Sequence, residues 1–157
     1  DGAAYNLNTG TIGLTSTTVS SVLYLKNNEV QDMIIEALAV GIGSAGTTTD
    51  LSTITVTRNP TSVDYSTAVD MNANRNFGSS KTLAADVFKG AEGSATTGGD
   101  SIIQFFAGSG TRLFAPINLL LPTGSSIAID IDTNTTAGTT NVYAAIVCYL
   151  KDVNLQD

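Results

Sequence analysis

The chain has no histidine and no tryptophan, a single cysteine, three prolines, and charge on only 13 % of its residues. Without histidine it lacks the commonest general base, the usual partner that activates a Ser or Cys nucleophile, and the commonest transition-metal ligand. One thiol without histidine builds no zinc cluster, and the same deficit disfavours haem. Cys148 lies in the apolar run "NVYAAIVCYL" and forms no internal disulfide, so it reads as a small buried hydrophobe. Nothing in the cysteine count calls for an oxidising compartment. No apolar run approaches the ~18–20 residues of a helical membrane span, and no signal-peptide pattern is present. The sequence begins at Asp1 rather than Met, so residues ahead of it are expected.

Seven basic side chains stand against fourteen acidic ones, a formal net charge of −7. An acidic chain without a basic stripe is a poor fit to phosphate backbones, so no nucleic-acid partner is expected. Thr, Ser, Gly, Ala and Asn fill the space that charge leaves. That composition suits turn-rich β-structure and opposes long surface helices, which favour Glu, Lys and Gln.

Apolar runs of strand length recur from end to end. In "SSIAIDID", residues 125–132, Ile127, Ile129 and Ile131 face one way and Ala128, Asp130 and Asp132 the other. In "STITVTRNP", Ile54 and Val56 point inward, Thr53, Thr55 and Thr57 point outward, and Asn59-Pro60 ends the strand. "NVYAAIVCYL", apolar at both parities, reads as a central strand covered on both faces. "SSVLYLKNN" and "LAADVFKG" are further strands, stopped by Asn27-Asn28 and Gly90. "EVQDMIIEALAVGIG" is apolar nearly all round and reads as a strand paired to residues 21–26 through a turn at Lys26-Asn27-Asn28. "IIQFFAGSGTRLFAP" reads as a hairpin turning at Gly108-Ser109-Gly110.

The sum is an all-β fold, a β-sandwich or jelly-roll-like domain of about eight to ten strands. Residues 1–20, weakly patterned, are expected to form an N-terminal arm that orders against a neighbour, and 21–157 a single sandwich domain. The polar connections 60–81 and 90–100 are too long for tight hairpins, and connections of that length carry function or an interface.

No catalytic, cofactor-binding or metal-binding residue emerges. "DIDTN" begins like a calcium loop at Asp130 and Asp132, but Thr135 stands where the loop glycine belongs and no acid follows at the twelfth position. A solvated strand face explains those carboxylates more simply. A hydrolytic carboxylate pair would need a second acid at a telling spacing, and none stands out. "GIGSAG", "TTGGD" and "AGSG" lack the phosphate-loop pattern and read as turns. The sequon Asn134-Thr135-Thr136 matters only in a eukaryotic secretory setting.

One polar run does concentrate interaction chemistry. "VDMNANRNFGSSKTL", residues 69–83, places Arg75, Phe77 and Lys81 among asparagines, glycine and serines. As plain surface, its basic residues balance Asp64 and Asp70. As a contact element, Asn72, Asn74 and Asn76 fix the loop by local hydrogen bonds and left-handed backbone, with Gly78 as a further permissive point. Arg75 then forms a bidentate pair with a carboxylate on a partner chain, Phe77 fills a pocket, and Lys81 adds a rim charge. Asn74, Arg75, Phe77 and Lys81 are the expected partner-contact residues.

Taken together, "LYLKNNE", "VDMNANRNFGSSKTL", "KGAEG…TGGD", "RLFAPINLLLPTGSSIAI" and "NVYAAIVCYLKD" resemble a family of small β-sandwich structural proteins of tailed-phage virions. The blocks occur in order over most of residues 22–152, while residues 1–21 and 44–68 fall outside the match. The resemblance implies a non-enzymatic capsid decoration (cement) protein on the virion surface, assembled in the host cytoplasm. It implies the major capsid protein or another virion protein as partner, a homotrimer, and no membrane. The other readings are a carbohydrate-binding or adhesin-like module, which would use exposed aromatics with Asp or Asn on one face, and a hydrolase.

Overall fold

The computed structural model describes residues 3–152, and the ends of both expected segments, 1–2 and 153–157, lie outside the described residues. Sixteen strands and no helix are present among the described residues. The first half holds β1 (Ala4–Asn8), β2 (Ile12–Leu14), β3 (Ser20–Asn27), β4 (Met33–Ile42), β5 (Thr47–Thr48), β6 (Ser52–Arg58), β7 (Ser62–Val63) and β8 (Thr67–Ala68). The second half holds β9 (Met71–Asn74), β10 (Ala85–Lys89), β11 (Thr96–Thr97), β12 (Asp100–Ala107), β13 (Arg112–Leu121), β14 (Ser126–Asp132), β15 (Thr135–Ala137) and β16 (Thr140–Leu150). Nine of these have five or more residues and carry the architecture that the alternation predicts.

All strand pairings among the described residues are antiparallel, and the long strands form two sheets. The first runs β13-β4-β16-β1-β9, with β2 also on β16, and the second runs β12-β6-β14-β3-β10-β8. Ile54, Val56, Ile129 and Ile131 from the second sheet meet Leu7, Leu38, Val40, Ile146 and Cys148 from the first in one buried cluster. This is a β-sandwich. The inward rows of β6 and β14 are as the period of two predicts, but the opposite row is not a solvated face: Thr57 and Ala128 are buried and Asp130 is partly covered by Thr96. Asn59 ends β6 in a left-handed turn (φ 47°), and its side chain accepts the Ser126 N–H at 3.0 Å.

Two expected hairpins are crossings between the sheets instead. β3 pairs with β10 and β14, whereas β4 pairs with β13 and β16. The reason is Asn27, which is buried rather than exposed at a turn tip. Its side-chain amide donates to the carbonyls of Gln31 and Leu121, both at 2.9 Å, and its carbonyl oxygen accepts the Glu29 N–H at 2.8 Å. Similarly, β12 lies in the second sheet and β13 in the first, so 102–116 is an arch. Ile103 and Phe105 on one side, and Ile117 and Leu119 on the other, pack against the shared core. Gly110 takes the positive φ of 75° that its place in the connection predicts, but Gly108 does not.

Two strands of the expected N-terminal arm belong to the first sheet. β1 pairs with β16 and β9, and β2 pairs with β16. Tyr5, Leu7, Ile12 and Leu14 are all buried. Their apolar side chains alternate within "AYNLN" and "IGL", a pattern hidden by the short lengths of both strands. β16 is central, between β4 and β1, but its outer row of Tyr143, Ala145, Val147 and Tyr149 is half-buried rather than covered.

The long polar connections bind to one another. β7 pairs with β11, and the Asp64 carboxylate accepts the Ala95 N–H at 2.8 Å. Gly90 passes so close to β3 that a Cβ there would lie 1.8 Å from the Ser21 carbonyl oxygen. Threonine also works inside: the hydroxyls of Thr133, Thr135 and Thr140, all buried, form a chain with two 2.7 Å contacts. Buried hydroxyls need such partners, since an unpaired one costs about 1–3 kcal/mol.

Candidate functional site

The loop after β9 owes its shape to short side chains that bond to their own backbone. Asn74 Oδ1 accepts the Asn76 N–H at 2.8 Å, and Asn76 Oδ1 accepts the Gly78 N–H at 3.1 Å. Asn74 Nδ2 donates to the Lys81 carbonyl at 3.2 Å, and Ser79 Oγ accepts the Lys81 N–H at 3.2 Å. These are the Asx-type bonds that the run of asparagines predicts. The left-handed backbone expected at Asn72, Asn74, Asn76 and Gly78 is not used; positive φ occurs elsewhere, at Asn59, Asn118 and Asn134. Side-chain bonds, together with a backbone turn in which the Ser79 N–H donates to the Asn76 carbonyl at 2.9 Å, set this loop.

Arg75 is already paired within its own chain. Its guanidinium donates to Glu36 Oε2 at 3.2 Å and Oε1 at 3.4 Å, a bidentate contact, and its backbone N–H donates to the Ala4 carbonyl at 2.8 Å. Glu36 therefore holds the position expected for a partner-chain carboxylate. Arg75 balances neither Asp64 nor Asp70: it is taken by Glu36, while Asp70 pairs with Lys89 and the Asp64 carboxylate accepts the Ala95 N–H. Phe77 is 98 % exposed, and the Lys81 side chain is also exposed. The structure thus gathers Asn74, Arg75 and Lys81 around one ordered loop and leaves Phe77 standing clear of it.

Glu36 reaches Arg75 because β4 is irregular there. Ile35 and Ala37 have partners on both neighbouring strands, but Glu36 has none: Ile35 faces Leu119 and Cys148, and Ala37 faces Pro116 and Val147. An extra residue in a strand bends it and re-aims a side chain. β13 carries a matching irregularity between Pro116 and Leu119, where Asn118 is left-handed at φ 47°. Across the outer face of this sheet, Pro116, Ala37, Val147 and Asn6 stand in register. Small side chains on the two central strands leave an open groove of about 590 Å³, lined also by Glu36, Arg75, Phe114, Asn118 and Tyr149.

A second, apolar feature lies on the flank where the edge strands β12 and β13 run. Ile102 is 41 %, Phe106 64 % and Leu120 52 % exposed. Between the strands is a groove of about 370 Å³ lined chiefly by Ile35, Ile102, Ile103, Leu119, Leu120 and Ile127. The hairpin reading concealed this flank, because paired β12 and β13 would not both be sheet edges. The available signal was the presence of apolar residues at both parities in "IIQFFA" and "LFAPINLLL".

A polar cluster ties the β7/β11 connection to the second sheet. Tyr65 Oη lies 2.6 Å from Ser21 Oγ, and Thr96 Oγ1 lies 2.7 Å from Ser21 Oγ and 3.3 Å from Asp130 Oδ1. Burial pushes the Asp130 carboxyl above the ordinary carboxylate range, against the hydrogen bonds of Ser21 and Thr96. Burial likewise raises the Tyr65 phenol, with the Asp130 and Asp64 charges adding to the effect. Cys148 is fully buried, and its thiol is pushed up to about 12 by desolvation. Asp132 Oδ1 accepts the Asn134 N–H at 2.9 Å, a local turn contact. Among the described residues no group of three or more His, Cys, Asp or Glu converges as a metal site.

No protein-family model and no curated protein matches the chain. Among solved structures it is similar, at 14 % identity and a TM-score of 0.31, to a chain in the structure of infectious bursal disease virus, Gx strain. That match covers 98 % of this chain and 32 % of the other. A mutant VP2 protein of infectious bursal disease virus, from T=1 particles, is similar at 9 % identity and a TM-score of 0.17, over 97 % of this chain and 41 % of that one. The chain thus spans less than half of either structure, and these scores carry no argument about its role.

Proposed function

We propose that the chain is a non-enzymatic virion structural protein, a capsid decoration component that stabilises its particle by protein–protein contact. The observation that carries this reading is the flank of β12 and β13, where Ile102 and Leu120 stand exposed in a mainly apolar groove that Arg58 and Ser126 also line, with Phe106 exposed further along β12. Contiguous apolar surface of this kind marks interfaces, whose cores are depleted in charge. Pro116 and the irregular stretch before Leu119 blunt β13 as a template for strand addition, so the contact is made by side chains. Phe77, on a loop already ordered by its own hydrogen bonds, supplies a second anchor at low entropic cost. The sequence blocks that resemble tailed-phage virion proteins favour the major capsid protein or another virion protein as partner. A homotrimer on the capsid surface, assembled in the host cytoplasm, fits the same reading.

The test compares complete particles with particles depleted of this protein. A component that binds only the assembled shell stabilises it by linkage. Depleted particles are expected to release their genome at lower temperature. Equal release temperatures for the two preparations contradict a stabilising role.

A further inference from the structure

We infer that the groove on the outer face of the first sheet is a binding site for a neutral saccharide, a role separate from assembly through the β12/β13 flank. Its lining combines the two things that sugar rings require. Phe114, 64 % exposed, and Tyr149 offer aromatic surface for the C–H faces of a pyranose. Asn6, Asn118, Glu36 and Arg75 offer donors and acceptors for its hydroxyls.

The charge balance selects a neutral ligand. Glu36 and Arg75 cancel one another through their bidentate pair, and among the described residues no other charged side chain lines the groove. A phosphate or uronate would have to compete with Glu36 for the guanidinium, and a cation would have to compete with Arg75 for the carboxylate. A hydroxyl needs neither exchange: it accepts from an N–H of Arg75 or donates to a lone pair of Glu36 while the pair stays closed. Both side chains remain about one-third exposed (35 % and 36 %), so the pair is not sealed from a ligand.

The backbone also departs from regularity here twice. Glu36 is the unopposed residue of β4, and Asn118 is left-handed within the irregular part of β13. A left-handed non-glycine residue carries a strain that regular pairing would avoid, and bulges cluster beside binding sites because they re-aim side chains. Both irregularities fall on adjacent strands, and both residues line the same groove. The local bonds of Asn74 and Asn76 hold Arg75 in place without a ligand, so the site is formed in advance.

The experiment applies the purified full chain to an array of neutral oligosaccharides containing glucose, galactose, mannose and N-acetylglucosamine, and follows any hit by titration calorimetry. Three variants are compared with it: Phe114→Ala, Asn6→Ala and Phe77→Ala. Phe114→Ala and Asn6→Ala are each expected to weaken binding by tenfold or more with melting unchanged, while Phe77→Ala, which removes an exposed ring outside the groove, leaves affinity intact. If either groove variant fails to fold, the other carries the same comparison. Absence of binding to every neutral oligosaccharide overturns the inference. So does binding that survives both groove substitutions, or binding that Phe77→Ala removes.

Discussion

Glu36, the unopposed residue of a central strand, holds Arg75 of a distant loop through two hydrogen bonds of 3.2 and 3.4 Å. The pair joins the middle of the first sheet to the connection that follows its edge strand β9. Both partners are about one-third exposed, so solvent screens the attraction, and pairs of this kind contribute roughly 0–1 kcal/mol. Arg75→Ala is therefore expected to lower global stability by no more than about 1 kcal/mol in chemical denaturation. Its larger effect falls on the loop, where amide exchange at residues 75–81 is expected to quicken. A loss of several kcal/mol would show that the pair is structural in a way its exposure does not support.

Asp130 gives a pH dependence of definite sign. Its folded-state pKa is raised, so the folded protein holds a proton that the unfolded chain has already released. In the window above the ordinary carboxylate range, stability then falls as pH rises through the folded pKa. Asp130→Asn keeps an acceptor for Thr96 and removes the buried charge. Its melting temperature is expected to exceed that of the wild type at pH 7, and the gain should shrink toward pH 4. An unchanged or lower melting temperature at pH 7 would mean that the Ser21 and Thr96 hydrogen bonds outweigh desolvation.

Cys148 is expected to be inert in the folded state, since it is buried and its thiol is pushed up to about 12. Labelling by a thiol reagent at pH 8 should occur only at the rate of unfolding and become complete in denaturant. Rapid labelling of the native protein would contradict its place between β4 and β1.

Ile129 and Ile146 face one another's sheets across the core and are buried to 0 % and 1 % exposure. Truncating either to alanine is expected to cost about 2–5 kcal/mol, the range for large-to-small changes in close-packed interiors. Urea denaturation measures it. A cost below about 1 kcal/mol would place that side chain outside the packed core.

Much of this fold was legible in short stretches. Alternation in "SIAIDID" and "STITVTR" identified strands and their inward faces because period two is a local property. Pairing was not local. Whether β3 turns back on itself or crosses to the other sheet depends on the buried bonds of Asn27 to Gln31 and Leu121, and Leu121 lies 94 residues away. The asparagine-rich loop was legible as an ordered element, since Asx bonds span two residues. The carboxylate for Arg75 was not, because Glu36 is 39 residues distant and is presented by an irregularity that no sequence pattern marks. The groove escaped for the same reason: its lining comes from β1, β4, β13, β16 and the loop after β9.

The assembly flank is open to a solution test. Ile102→Lys with Leu120→Lys places two charges on exposed apolar positions and leaves the core untouched. The doubly substituted protein is expected to keep its melting temperature while the wild-type oligomer, expected to be a trimer, dissociates in sedimentation. Wild-type protein that sediments as a monomer at high micromolar concentration would confine any self-association to the particle surface.

The most direct measurement of the virion role is a map of the whole particle at side-chain resolution. The expected result is this chain on the shell, with Ile102, Phe106 and Leu120 of the flank and Phe77 of the loop buried against neighbouring chains. A particle without this chain, or one that carries it with the flank and Phe77 open to solvent, would contradict the account.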